Sequence, residues 1–379
     1  MNDLAILFSS SPEGALFWVL SVSLVLMGGL AAATPFLMPK GECFTVTVPD
    51  SASSDPYLRR LKRLFASAVI ALTFVLFMAC GCAFVLVGSR AFAGAYAAAA
   101  LALCLLSYGL MLRFRSLVRR HKSAMGWTAK GQERVAFIAD DSAPCAISMK
   151  WDLLMVAIAV LTAAIGAAVY PLMPERIALQ IGPDGAVGSW ADKSPAVAAI
   201  PVVYVLFVAG IMAFSHWSIV RSKKASSPST PASTAWAYGL FARAQSLFLI
   251  VVGVLVSLVG PTMELAFAQI FTLQQLIIPI LAVSLAVVVA AIVLAFVYGQ
   301  NGSRLIARVQ SDAPLSADDD RHWKGGVFYV NRSDSSLFVP ERFGIGWTLN
   351  LGQPKAWGIL VGLLAAIIAF LAACLTLAS

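Results

Sequence analysis

YPLMPERIALQIGPDGAVGSWADKS, residues 170–194, lies near the middle of the chain between two long apolar runs. It holds prolines at 171, 174 and 183, glycines at 182, 185 and 188, and the charged residues Glu175, Arg176, Asp184, Asp192 and Lys193. In hydrocarbon every backbone polar group needs a partner within the protein, and a stretch of this composition does not belong there. It therefore emerges into water or lines a cavity, and the apolar runs on either side read as membrane spans.

The rest of the chain agrees. Of 379 residues, 60% are hydrophobic and 12% charged, against about 25% charged in an ordinary soluble domain. Mean hydropathy is +0.84. A bilayer core about 30 Å thick calls for about 20 apolar helical residues. Eight runs meet that length: Ala15–Met38, Leu64–Val87, Ala91–Leu112, Trp151–Leu172, Ala196–Val220, Gly239–Gly260, Leu276–Tyr298 and Ala356–Leu377. The expected fold class is all-α integral membrane, with about eight transmembrane helices and a small cytoplasmic β-rich appendage. No Lys or Arg occurs between Met1 and Gly14, so the first run reads as a retained span rather than a cleaved signal.

The formal net charge of +8 serves topology. Alternate connections, 40–63, 113–150, 221–243 and 304–355, hold 5, 8, 4 and 7 of the 27 Lys and Arg, which leaves Arg90, Arg176 and Lys193 on the opposite side. By the positive-inside rule the basic connections are cytoplasmic, and both termini and the 170–194 stretch face outward. The expected partner is membrane lipid, with no nucleic acid. Trp18, Trp151, Trp217, Trp236 and Trp357 fall near span ends, as interfacial anchors do.

Taken in order, residues 1–112 form spans one to three, and 113–150 form a cytoplasmic loop with a hairpin over Val135–Met149. Residues 151–220 form spans four and five around the external loop 170–194. The Ser/Pro/Thr-rich 221–237 is a flexible linker, 238–298 hold spans six and seven, 299–355 form a cytoplasmic β-rich module, and 356–379 are the last span. In the first connection Tyr57, Leu58, Leu61 and Leu64 share a helical face flanked by Arg59, Arg60, Lys62 and Arg63, which predicts an amphipathic lead-in helix on the membrane surface. In the module, strand-like Val327–Val330, Ser336–Val339 and Gly346–Leu351 predict a three-stranded meander that shares a sheet with the Val135–Met149 hairpin. GPTMELAFAQIFTLQQ, from Gly260, reads as external or partly re-entrant, with Glu264 close to an external span end, and Pro279 predicts a kink in the seventh span.

Little of this is chemistry. HExxH, GxxxxGK[ST] and GxSxG are all missing from the sequence. The six cysteines, at 43, 80, 82, 104, 145 and 374, form no CxxC pair. His216 beside Trp217 reads as interfacial, and Asp318, Asp319, Asp320 and His322 as a solvated acidic loop. Within the eight runs the charged side chains, Asp152 and Arg243, lie near span ends, so a buried carboxylate for proton coupling is not expected. The expectation is a non-enzymatic protein with no catalytic residues, no cofactor and no metal.

Two stretches carry a family resemblance. In the central one, Pro174, Ile177, Gly185, Trp190 and Lys193 stand as in the extracytoplasmic signature of bacterial membrane proteins related to the Sdp toxin-immunity protein. Gln180 and Gly188 depart from that pattern, occupying the places of a histidine and an aspartate. Trp323, Gly326, Tyr329, Asn331, Asp334, Phe338, Val339, Gly344, Gly346 and Asn350 resemble an uncharacterised cytoplasmic module found in some of these relatives, and Phe44–Pro49 loosely resembles a further strand of theirs. The resemblance implies a bacterial cell-membrane protein, and for its best understood members immunity to, or sensing of, a peptide toxin. The ligand-binding residues expected on this reading are Glu175, Arg176, Asp184, Trp190 and Lys193, facing a cationic or amphipathic peptide, with the β-rich module signalling to a cytoplasmic regulator. The alternative is a transporter or exporter of a hydrophobic compound, with Gln274, Gln275 and Pro279 beside its path.

Overall fold

The structure is a computed structural model that describes residues 12–39, 41–49, 52, 54–127, 144–181, 187–223, 231–306 and 319–378. Its helices are α1 (Pro12–Leu37), α2 (Pro56–Val87), α3 (Ser89–Ala124), α4 (Leu153–Val169), α5 (Pro195–Arg221), α6 (Pro231–Ser257), α7 (Val259–Phe267), α8 (Leu273–Tyr298), α9 (Ser303–Ile306) and α10 (Pro354–Ala378). Eight segments are long and apolar enough to cross a membrane, with α6 and α7 together making the sixth. The chain is an all-α multi-pass membrane protein with small antiparallel strand pairs. Its apolar side chains, such as Leu86, Val87, Leu161 and Leu375, stay exposed on the outside of the bundle, an arrangement that lipid favours and water does not.

Helix starts follow from local chemistry. Asp55 caps α2, its Oδ1 accepting the N–H of Tyr57 at 2.7 Å and of Leu58 at 3.2 Å, with Pro56 in the first turn. Ser194 caps α5 through the N–H of Val197 at 3.2 Å, again followed by proline. Thr272 and Gln275 form a reciprocal capping box at the start of α8.

Helices α1, α2 and α3 pack as one group, α4, α5, α6 and α7 as another. Helix α8 bridges them by touching α1 and α6, and α10 lies on the outer side of α5, where Phe370 stacks on Phe207 at 3.9 Å. At one end of the bundle a hairpin of β3 (Arg176–Ile181) and β4 (Val187–Asp192) joins α4 to α5. The other end carries three short pairs: β1 (Glu42–Cys43) with β2 (Val46–Thr47), β5 (Trp323–Lys324) with β6 (Phe328–Tyr329), and β7 (Phe338–Pro340) with β8 (Trp347–Leu349).

Several local expectations are corrected. The basic lead-in of the second span is not a separate surface helix: it runs unbroken into α2 and turns Leu58, Leu61 and Phe65 inward, leaving Tyr57 and Leu64 exposed. The supposed linker is helical from Pro231. Residues 144–148 are irregular rather than a strand, and the other half of the predicted Val135–Met149 hairpin lies outside the described residues. The meander is two hairpins instead of three consecutive strands. Phe328–Tyr329 pairs with Trp323–Lys324, and one bridge between Tyr329 and Asn350 connects it to the β7–β8 pair.

Asn350 holds those hairpins together. Fully buried, its Nδ2 donates to the carbonyls of Asn331, Asp334 and Ser336 at 2.9, 2.9 and 3.1 Å. Its Oδ1 accepts the N–H of Asn331 at 3.0 Å and of Gly352 at 3.1 Å. The module is tied to the bundle by Lys223 on Asp334 at 2.7 Å, Trp347 Nε1 donating to the Tyr238 hydroxyl at 2.8 Å, and Gln300 Nε2 donating to the Glu341 carbonyl.

Candidate functional site

The β3–β4 hairpin has two faces. Register pairs Arg176 with Asp192, Ile177 with Ala191, and Ala178 with Trp190, and side chains alternate along a strand. Ile177 and Ala191 point down and are buried with Val169, Met173, Val197, Phe267 and Ala268 from the ends of α4, α5 and α7. Arg176, Asp192 and Trp190 point away from the bundle, and Trp190 is 50% exposed. Arg176 Nε lies 3.6 Å from Asp192 Oδ1, with both side chains mostly in the open. Such an exposed pair contributes at most about 1 kcal/mol and exchanges partners readily.

The predicted site residues are only partly brought together. Arg176 and Trp190 share the outward face, where Asp192, which was not predicted, joins them. Glu175 is exposed beside them, its carbonyl accepting the Lys193 N–H at 2.8 Å. Lys193 is placed differently: its ammonium donates to the Met173 carbonyl at 2.8 Å and the Pro171 carbonyl at 3.4 Å, above the Tyr170 ring at 5.1 Å. It closes the turn at the end of α4. Asp184 lies outside the described residues. Of the residues placed beside a transport path, Gln275 is an α8 cap and Pro279 faces outward from the bundle, while the Gln274 side chain lies outside the described residues.

Beneath the hairpin lies a group that the sequence places only close to an external span end. Helix α6 ends at Ser257 and α7 begins at once, with Pro261 in its first turn where its missing N–H costs nothing. The sixth span thus runs on to Phe267, and Glu264 sits inside it, 0% exposed, with no hydrogen-bond partner for either carboxyl oxygen among the described residues. It lies against Gly166 of α4, where a Cβ would stand 2.8 Å from its Cδ. The signal was present in the sequence: LAF after Glu264 continues the apolar run.

His216 is likewise fully buried rather than interfacial. Its Nε2 faces the Ile147 carbonyl at 3.0 Å and its Nδ1 the Asp152 carboxylate at 3.0 and 3.1 Å. Nε2 is placed to donate to the carbonyl, and Nδ1 shares a hydrogen bond with the carboxylate. This pair ties α4 to α5 at the end away from the hairpin.

At that end Asp320 is not a solvated acid. Its Oδ1 accepts the Thr47 N–H and hydroxyl at 3.0 and 2.8 Å and the Arg342 guanidinium at 2.6 Å, and its Oδ2 lies 2.9 Å from Lys122. Burial alone would raise the Asp320 carboxyl, but the Lys122 hydrogen bond, the Arg342 charge and the Thr47 N–H outweigh it and hold it at about 2. Arg342 also lies 3.5 Å from Glu42, and Arg115 donates to the carbonyls of Thr45 at 2.6 Å and Trp323 at 3.2 Å. The residues that meet here come from the first connection, α3 and the C-terminal module.

Residues 157–205 match a domain of unknown function, DUF1648, and residues 332–357 match a family of unknown function, DUF5808. The first match contains the whole β3–β4 hairpin with most of α4 and the first part of α5. The second contains β7, β8 and Asn350. Neither description names an activity, ligand or partner, and no curated protein or solved structure matches the chain.

Proposed function

We propose that this multi-pass membrane protein is a non-enzymatic sensor of, or immunity factor against, membrane-active antimicrobial peptides. The β3–β4 hairpin would face the outside of a bacterial cell and the paired-strand module the cytoplasm, as the distribution of Lys and Arg favours. The observation that carries this reading is the two-faced hairpin. Its outward face offers Trp190 beside a weak Arg176–Asp192 pair, a surface suited to an apolar side chain next to a cationic one. Its inward face is seated on α4, α5 and α7.

Helix α5 supplies the path inward. It starts directly after the hairpin at Pro195 and ends at Arg221, and just beyond it Ser222 bridges to Phe338 and Lys223 pairs with Asp334. A shift of the hairpin on α5 is thereby felt by the module, which would present the change to a cytoplasmic regulator.

The test is growth of cells lacking the gene, complemented at matched membrane levels and challenged with cationic amphipathic peptides. Trp190→Ala and Asp192→Asn are each expected to lower the tolerated peptide concentration about tenfold, the size of an interface residue that contributes between 1 and 2 kcal/mol. Wild-type protection in both variants would remove the hairpin from peptide recognition, and no protection by the wild type would remove the reading itself.

A further inference from the structure

Glu264 is used by none of this, and its setting is unusual. A carboxyl group inside a membrane span, with no hydrogen-bond partner for either oxygen among the described residues, is in a place where charge persists only when paired or hydrated. Shape decides what could neutralise it. A Cβ at Gly166 would stand 2.8 Å from Cδ, 2.8 Å from Oε1 and 3.0 Å from Oε2. The backbone of α4 therefore lies directly against both oxygens on that side and leaves no place there for a metal ion or an ammonium group.

Among the described residues the neighbouring elements offer no internal cation either. Helix α4 carries no titratable side chain between Leu153 and Val169, with Tyr170 just beyond its end. On α5 the Tyr204 hydroxyl donates to the Val256 carbonyl, and His216 lies near the opposite end of the helix with Asp152. Helix α6 has none between Ala244 and Ser257, and α8 none between Leu273 and Val297. On the hairpin side the ammonium of Lys193 is spent on the Met173 and Pro171 carbonyls. With no cation facing the carboxyl among the described residues and α4 closing its Gly166 side, the ligand that fits it as packed is a proton.

We propose that Glu264 is a proton-binding site roofed by the β3–β4 hairpin, and that its proton holds α7 and the hairpin seated on α4. Loss of the proton to water leaves a carboxylate whose two oxygens need water. Water reaches them when α7 parts from Gly166, or when the face formed by Ile177 and Ala191 lifts from Val169, Phe267 and Ala268. The seated arrangement holds a proton that the opened one releases, so acid favours the seated hairpin and alkali the opened one. The inference stands apart from peptide recognition and holds for any ligand the hairpin meets.

The experiment uses the full chain in detergent micelles. Dicyclohexylcarbodiimide, an apolar reagent that modifies protonated carboxyl groups, is expected to leave an adduct mapped by mass to residue 264, at a yield that falls as pH rises. Hydrogen exchange of the β3 and β4 amides, corrected for intrinsic rate, is followed over the same range. One linked proton makes the opening equilibrium grow about tenfold per pH unit once the opened form is ionised. Glu264→Gln, of the same shape and permanently neutral, should abolish this slope, and Glu264→Asp should retain it. No adduct on residue 264 at any pH, or an equal slope in wild type and Glu264→Gln, overturns the proposal. Should the Gln variant fail to fold, the adduct on the wild type and the slope of the Asp variant still decide.

Discussion

At the scale of single residues, the side chains that matter most are those whose polar atoms are answered completely or not at all. Asn350 is answered completely: five backbone groups close on one amide. Asn350→Asp keeps the shape but removes both donors and sets a charge against three carbonyls. It should destabilise the module by about 3 kcal/mol or more, given about 1–3 kcal/mol for each buried polar group left unpaired. A lower thermal midpoint in detergent, with early proteolysis between 319 and 353, is the expected result; an unchanged midpoint would mean that the hairpins do not depend on Asn350. Asn350 was marked from sequence only as part of a resemblance, since nothing local says that an asparagine will find five partners up to 19 positions away. Glu264 escaped for a different reason. Gly260 and Pro261 read as the end of a span, whereas proline is tolerated in the first turn of the helix that continues it. The charge of Lys193 is legible in the sequence, whereas its Met173 and Pro171 carbonyl partners are not.

At the scale of elements, the spans could be read because each needs about 20 apolar residues and the chain supplies them as separate runs. All eight overlap the expected runs, with α2 and α6 starting earlier, α3 running on to Ala124 and the sixth span to Phe267. The β3–β4 hairpin was missed although Ile177, Leu179 and Ile181 alternate before GPDG; the prolines and glycines nearby dominated the reading. Packing between spans was beyond reach, because it depends on which small residues meet. Gly28 of α1 meets Thr73 of α2 so closely that a Cβ would lie 2.1 Å from the threonine hydroxyl, whereas Gly29 has nothing within 4 Å. Small residues let membrane helices approach in this way. Gly28→Leu should therefore lower stability by at least the about 1–3 kcal/mol typical of overpacking, and Gly29→Leu should be neutral. Equal thermal midpoints for the two variants would contradict the crossing.

At the scale of the whole molecule, Asp320 and its partners fasten the first three helices to the C-terminal module. The Asp320 carboxyl is held at about 2 in the fold, against 3.8 as its ordinary value. A group depressed in the folded state adds stability that is fully present above its unfolded value and is lost as pH falls through the folded one. The contribution, about 2 kcal/mol, should fade between about pH 4 and about pH 2. Thermal midpoints over that range should drop in the wild type and stay flatter in Asp320→Asn; parallel curves would remove Asp320 from the fastening. The cluster joins residues far apart in synthesis order, Lys122 and Asp320 being separated by 198 positions. At about 5–20 residues per second, a ribosome takes about 10–40 s to make that interval. During that time Lys122 has been made and Asp320 has not, so the N-terminal bundle waits through about half of translation for the acid that completes it. A chain cut short before residue 320 would be left in that waiting form, its fastening half built, for the membrane's quality-control proteases to find.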